Sequence, residues 1–130
     1  MTGLVTSAAL VLALGTGWEP GHGTRYAEHV MHEVAERRGL PVADCMIAYD
    51  RAPLGTFVWV RGQTGRLLWC QVTDESKGRA DTPGSDKWRH IRANLVEFDW
   101  ASARAMCVDF AGPWRDCPVW VLRHSGGAAR

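Results

Sequence analysis

The chain has 130 residues, of which 46% are hydrophobic and 22% are charged, and these values fit one globular domain with a single core. The formal net charge is +1 at pH 7, so the positive field is too weak for a general nucleic-acid binder. Seven tryptophans are many for this length, and each of them can either fill the core or belong to a binding surface.

The N-terminal segment contains an apolar run from Leu4 to Leu14, which is too short for a membrane span. Its length and small residues fit the hydrophobic region of a signal peptide cleaved near Ala13 or Gly15, although no basic residue precedes it. The alternative is a short amphipathic or buried segment. We expect residues 1–22 to be a signal-like segment and linker, and the protein to be secreted or held in the cell envelope.

A helix is predicted over residues 27–38, after a first short strand at 23–26. Apolar side chains recur there at helical spacing on one face, and arginines at its end suit the helix dipole. Gly39 is a good C-terminal cap, and Pro41 prevents the helix from continuing.

Most of the remaining elements are predicted strands, and together they suggest a mainly β domain over residues 23–124. These strands cover residues 44–49, 56–60, 66–73, 94–98 and 119–123. Asp99 is expected to cap a second helix over 100–107. A long polar loop is predicted at 75–87 and a frayed tail at 125–130.

The clearest hairpin joins the strands at 56–60 and 66–73, and both of its faces carry large apolar groups. Trp59 and Trp69 are predicted to be cross-strand neighbours on the outer face. They can stack on sugar rings, or they can be covered by the helix at 27–38 or by a partner subunit. Coverage by the helix or by a partner is favoured, because a large exposed apolar patch is usually covered by another element or by a partner.

The four cysteines are even in number, and none of their spacings is CxxC, which speaks against a zinc site or a thioredoxin-type motif. Two disulfides are possible in three pairings, and the pairing that we consider first joins Cys107 to Cys117 across a short loop and Cys45 to Cys70 on an adjacent strand. Reduced, buried cysteines are the alternative, which applies if the protein is cytosolic or a virion component. His29 and His32 lie three apart on the predicted helix, where an exposed position is favoured over metal binding, so we expect no metal and no cofactor.

A set of five motifs in fixed order resembles the double-psi β-barrel domain of the rare-lipoprotein-A-like family, which belongs with the expansin and barwin-like proteins. The motifs are Ile47-Ala48, Pro53-Leu54-Gly55-Thr56-Phe57-Val58-Trp59-Val60, Thr64-Gly65-Arg66, Val72-Thr73-Asp74 and Glu97-Phe98-Asp99, the last followed by alanines. The resemblance covers roughly half the chain. It implies a six-stranded double-psi β-barrel with one or two flanking helices.

The resemblance also implies a function, because active members of that family cleave the glycan strands of peptidoglycan as lytic transglycosylases. Asp74 matches the position of the general acid and base, and Glu97 matches a second carboxylate, although Glu75-Ser76-Lys77 replaces the usual Arg-Gly-Pro. The alternative is that both carboxylates cap loops or pair with arginines. A groove containing both would favour sugar chemistry, whereas burial against arginines would count against it.

Substrate contacts are predicted at the tryptophans of the hairpin and at Trp88, Arg89 and His90, which end the polar loop. Arg89 can pair with a carboxylate of the ligand, and a solvated loop is the alternative.

Two functions from different classes follow from these residues. The first is a cell-envelope protein that binds peptidoglycan glycan strands and cleaves them through Asp74. The second is a non-catalytic structural module, for example a phage tail or particle component, that associates with itself or with an assembly partner through the outer strand face.

Overall fold

The computed structural model describes residues 17–75, 95–108 and 117–122. Within these ranges the protein is mainly β, with six strands and two helices. The strands are β1 (Trp18–Arg25), β2 (Met46–Ala48), β3 (Phe57–Arg61), β4 (Leu67–Asp74), β5 (Val96–Phe98) and β6 (Cys117–Leu122). The helices are α1 (Val30–Arg37) and α2 (Trp100–Met106). No helix in the described part of the chain is long and apolar enough to cross a membrane.

The six strands close into a barrel in the order β1-β5-β2-β4-β3-β6. Two neighbouring pairs are parallel, β1 with β5 and β2 with β4, and the other four are antiparallel. Closure gives each of these six strands a hydrogen-bonded neighbour on both sides. The mainly β barrel with flanking helices agrees with the sequence prediction.

The barrel interior is filled by alternate residues of the strands, because successive side chains of a strand point to opposite faces. The alternation predicted for the hairpin is confirmed, since Val58 and Val60 are buried while Trp59 between them is exposed. The largest fully buried side chains that the strands contribute to this core are Ile47, Val60, Val72, Val96, Phe98, Val119 and Val121, and α2 adds Met106.

Strand β1 extends further toward the N-terminus than the sequence predicted. Residues 18–22 contain Gly and Pro and were expected to belong to a linker, but they pair with β6. The glycines allow close packing: a Cβ on Gly21 would lie 2.6 Å from Leu95, and one on Gly23 would lie 2.8 Å from Phe98. Glycine therefore marks close contact inside a small barrel here, rather than a turn.

Helix α1 packs on the outside of the barrel against β2 and β4. Its buried residues Met31, Val34 and Ala35 contact Met46 and Ala48, so the predicted apolar face is confirmed. The helix begins later than predicted, at Val30, after His29 in a left-handed conformation. Its end is as predicted, because Gly39 has a positive φ of 70° and terminates the helix.

Helix α2 is fixed to the barrel by Asp99, as the predicted cap. One carboxylate oxygen accepts a hydrogen bond from the Ser102 amide at 3.1 Å, and the other accepts one from the Met46 amide of β2 at 2.9 Å. Asp99 is buried, so both bonds form away from water.

Replacing Asp99 by alanine is expected to lower the free energy of unfolding by about 1 to 2 kcal/mol, because two amides lose their acceptor. Asp99→Asn is expected to cost about half as much, since its single carbonyl oxygen keeps one bond. Urea denaturation followed by circular dichroism measures both. Equal stability of the two variants and the wild type would contradict this assignment.

Both predicted disulfides are present in the structure. Cys45, just before β2, is joined to Cys70 of β4, and Cys107, just after α2, is joined to Cys117 of β6. All four cysteines belong to the buried core. The cysteines are therefore oxidised in the structure, and the alternative of reduced, buried cysteines is wrong. Two disulfides are compatible with an extracellular or secreted protein.

Candidate functional site

An exposed aromatic face covers the outside of the β3–β4 hairpin. We define it as Phe57 and Trp59 of β3 with Leu67 and Trp69 of β4. Trp59 and Trp69 lie directly opposite each other in the strand register, as predicted, and their ring centroids are 4.9 Å apart. Phe57 stacks on Trp69 with a centroid distance of 5.7 Å. Three aromatic rings therefore form one connected surface.

The aromatic face is open to solvent rather than covered by α1. The exposed fractions are 39% for Trp59, 45% for Trp69 and 41% for Leu67. Helix α1 contacts a different part of the barrel, around Met46 and Ala48. The alternative in which this helix covers the two tryptophans is therefore wrong, because the apolar side of α1 packs against β2 and the neighbouring part of β4 and leaves both indole rings exposed.

One end of the aromatic face carries a positive charge. Arg61, at the end of β3, is opposite Leu67 of β4 on one side and Trp120 of β6 on the other. Its guanidinium carbon lies 5.6 Å from the centre of the Trp120 ring, which is within cation–π range. Arg61 is half-buried, and the contact with Trp120 limits the positions that its side chain can take.

Asp74 ends β4, and its partners include a hydroxyl and a guanidinium. One carboxylate oxygen accepts a hydrogen bond from the Tyr26 hydroxyl at 2.7 Å, and the other is 2.5 Å from the Arg38 guanidinium. Asp74 is only 4% exposed, whereas the Arg38 side chain is 36% exposed. The carboxylate is therefore buried against an arginine, the arrangement that counts against sugar chemistry.

Glu97 lies near Asp74 because both residues flank the same position of β2. In the strand register Ala48 is opposite Asp74 on one side and opposite Glu97 on the other. Two strand spacings separate the backbones of the carboxylates by about 10 Å. Glu97 is also buried, on β5. The barrel thus brings the two predicted carboxylates to one level, two strands apart.

A further carboxylate, which the sequence reasoning did not single out, lies on β1. Glu19 accepts a hydrogen bond from the Tyr49 hydroxyl at 3.3 Å and forms an ion pair with Arg51. Tyr49 is buried, and its backbone amide bonds to the Asp74 carbonyl oxygen at 3.0 Å. Glu19 thus ties the loop after β2 to β1.

Several predicted site residues fall outside the described part of the chain or do not form a site. Trp88, Arg89 and His90, and most of the predicted loop at 75–87, lie outside the described residues. His29 and His32 are exposed, as favoured, with ring centroids 6.4 Å apart. In the described ranges no group of three histidines, cysteines or carboxylates is placed to hold a metal ion.

The sequence reasoning missed the partners of Asp74 and the charge beside the aromatic face. Arg38 was assigned only to the helix end, and Tyr26 only to a short strand. The sequence offered only indirect evidence for these partners, because a helix that ends in arginines can form an ion pair with a carboxylate at a strand end. Nothing in the local pattern could place Arg61 next to Trp120, because that contact depends on barrel closure between β3 and β6.

No family model and no curated protein matches this sequence. The barrel, the aromatic face and the contacts of Asp74 therefore carry the functional argument.

Proposed function

We propose that this protein is a cell-envelope barrel that binds the glycan strands of peptidoglycan on its aromatic face and does not cleave them. The observation that carries the proposal is the pair of open indole rings of Trp59 and Trp69, 4.9 Å apart on adjacent strands. The C–H face of a sugar ring is apolar and stacks on such rings, while the sugar hydroxyl groups remain in water.

The rigidity of the aromatic face supports binding. Trp69 precedes Cys70, which is joined by a disulfide to Cys45 beside β2, so the strand under the indole ring is covalently fixed. A preformed surface loses little conformational entropy when a ligand binds. The two disulfides also agree with a location outside the cytoplasm, where peptidoglycan is found.

The strand order supports a double-psi barrel of the rare-lipoprotein-A-like type. If β1 is exchanged with β4, β2 with β5 and β3 with β6, every strand keeps the same neighbours in the closed order β1-β5-β2-β4-β3-β6. The same exchange turns the parallel pair β1–β5 into the parallel pair β4–β2. This two-fold relation is what two interlocked, equivalent halves would produce.

The contacts of Asp74 favour binding over cleavage. A general acid must present a proton to the glycosidic oxygen. Asp74 is buried, and an ion pair with Arg38 stabilises its charged form. Its second oxygen is occupied by the Tyr26 hydroxyl. We therefore assign Asp74 a structural role that links α1 to β4.

Incubation with purified peptidoglycan tests both parts of this proposal. The wild type is expected to co-sediment with the polymer and to release no anhydro-sugar fragments detectable by mass spectrometry. Fragments that vanish with Asp74→Asn would instead establish a lytic transglycosylase with Asp74 as its acid. A folded wild type that stays in the supernatant would contradict binding.

A second function, as a structural or assembly module, is favoured by one observation. Leu67 extends the aromatic face with exposed aliphatic surface, and aliphatic side chains suit a protein partner better than a sugar. Sedimentation equilibrium distinguishes the two functions. A stable oligomer that dissociates with Leu67→Ser would support assembly through this face, and a monomer at micromolar concentration supports glycan binding.

A further inference from the structure

We propose that Arg61 makes the aromatic face selective for glycans that carry a carboxylate. This inference rests on the proposed glycan binding and adds the chemical class of ligand. It concerns the row formed by Leu67, Arg61 and Trp120, which lie side by side on β4, β3 and β6.

Arg61 is placed to reach a ligand that is stacked on Trp59. The two residues are two positions apart on β3, so their side chains emerge on the same face about 7 Å from each other. A sugar ring on the indole of Trp59 would therefore have its neighbouring substituent beside the guanidinium. Arginine binds carboxylates through two parallel hydrogen bonds, which fixes the orientation of the group.

The charge of Arg61 is available for a ligand. No carboxylate in the described ranges forms an ion pair with it, whereas Arg38 and Arg51 are each engaged by an acidic side chain. The Trp120 ring supports the guanidinium from one side without neutralising it. An arginine held by an aromatic ring loses less side-chain entropy when it pairs with an anion.

The ligand chemistry that complements this arrangement is a β-linked amino-sugar chain with carboxylates along one side. In peptidoglycan the carboxylate has two sources, the lactyl ether of the sugar and the amino acids of the peptide stem. Neutral chitin-type oligosaccharides present the same stacking faces without any carboxylate. A comparison of the neutral oligomer with the acidic strands therefore tests recognition of the carboxylate apart from ring stacking. A comparison of strands with and without peptide distinguishes the stem carboxylates from the lactyl carboxylate.

Isothermal titration with three oligosaccharides of equal length tests the inference: neutral N-acetylglucosamine oligomers, glycan strands stripped of peptide, and strands with intact peptide stems. We expect the wild type to bind at least one acidic ligand about three- to tenfold more tightly than the neutral one. Arg61→Gln is expected to abolish this preference while it leaves the affinity for the neutral oligomer unchanged. Arg37→Gln, an equal change of charge on exposed α1, is the control.

The outcomes separate this inference from the proposed function. Equal affinities of the wild type for all three ligands, or a preference that survives Arg61→Gln, would overturn selection by Arg61 and leave glycan binding intact. Absence of binding to every ligand would overturn both. A preference for peptide-free strands assigns the lactyl carboxylate, and a preference for intact strands assigns the stem.

Discussion

Replacing Trp59 and Trp69 together by alanine is expected to weaken peptidoglycan binding by at least about thirtyfold. Truncating two aromatic residues that act together at the centre of a binding surface costs about 2 kcal/mol or more, which corresponds to about thirtyfold in affinity. Both rings are partly exposed and contact each other across the hairpin, so the double substitution removes the stacking surface and leaves the barrel interior untouched. Co-sedimentation over a range of peptidoglycan concentrations measures the affinity.

The control for this prediction is Val108→Ser, which removes exposed apolar surface outside the aromatic face. Its binding is expected to match the wild type. Thermal unfolding of the double tryptophan variant checks that the fold is retained, and the lost cross-strand pair is expected to cost only about 1 kcal/mol of stability. Unchanged binding by a folded double variant would contradict the assignment of the aromatic face.

Replacing Arg38 by alanine is expected to lower the free energy of unfolding by about 2 to 3 kcal/mol. The substitution removes the guanidinium that lies 2.5 Å from the buried Asp74 carboxylate, and the loss of the opposite charge beside a buried ion is strongly destabilising. This loss of unfolding free energy is smaller than is usual for a broken buried ion pair, because the Arg38 side chain is 36% exposed and water reaches it. Denaturant titration of the folded chain with its disulfides intact measures the loss.

The matched control is Arg37→Ala, which removes the same charge one residue earlier on the exposed side of α1. It is expected to cost less than about 0.5 kcal/mol. The double variant Arg38→Ala with Asp74→Ala is expected to be more stable than the sum of its single variants, because each single change leaves a partner uncompensated. Additive losses would mean that the pair is not coupled, and Asp74 would then again be a candidate acid.

The hairpin was the most predictable part of this chain, and the reason is local. Alternating side chains fix which residues of β3 and β4 face the interior, so Val58 and Trp59 could be assigned to opposite faces from the pattern alone. The loop length then set the register that brings Trp59 opposite Trp69. The cap of α2 by Asp99 was predictable for the same reason, since it depends on adjacent residues.

Contacts that depend on barrel closure were not predictable from local patterns. The start of β1 was interpreted as a linker, because the close approach of Leu95 and Phe98 that its glycines permit comes from distant parts of the chain. The partners of Asp74 were missed for a similar reason: Arg38 is 36 positions away and reaches Asp74 only after α1 has packed on the barrel. Exposure of the aromatic face likewise depended on where α1 finds its apolar contacts.

The most direct test of the central claim is a nuclear magnetic resonance titration of the labelled protein with soluble glycan strands. Binding on the aromatic face predicts that the indole Nε1–H signals of Trp59 and Trp69 shift in a saturable way, while the backbone amides around Asp74 and Glu97 stay in place. Saturable shifts centred on Asp74 and Glu97, with both indole signals unchanged, would contradict it and would place the ligand at the carboxylates.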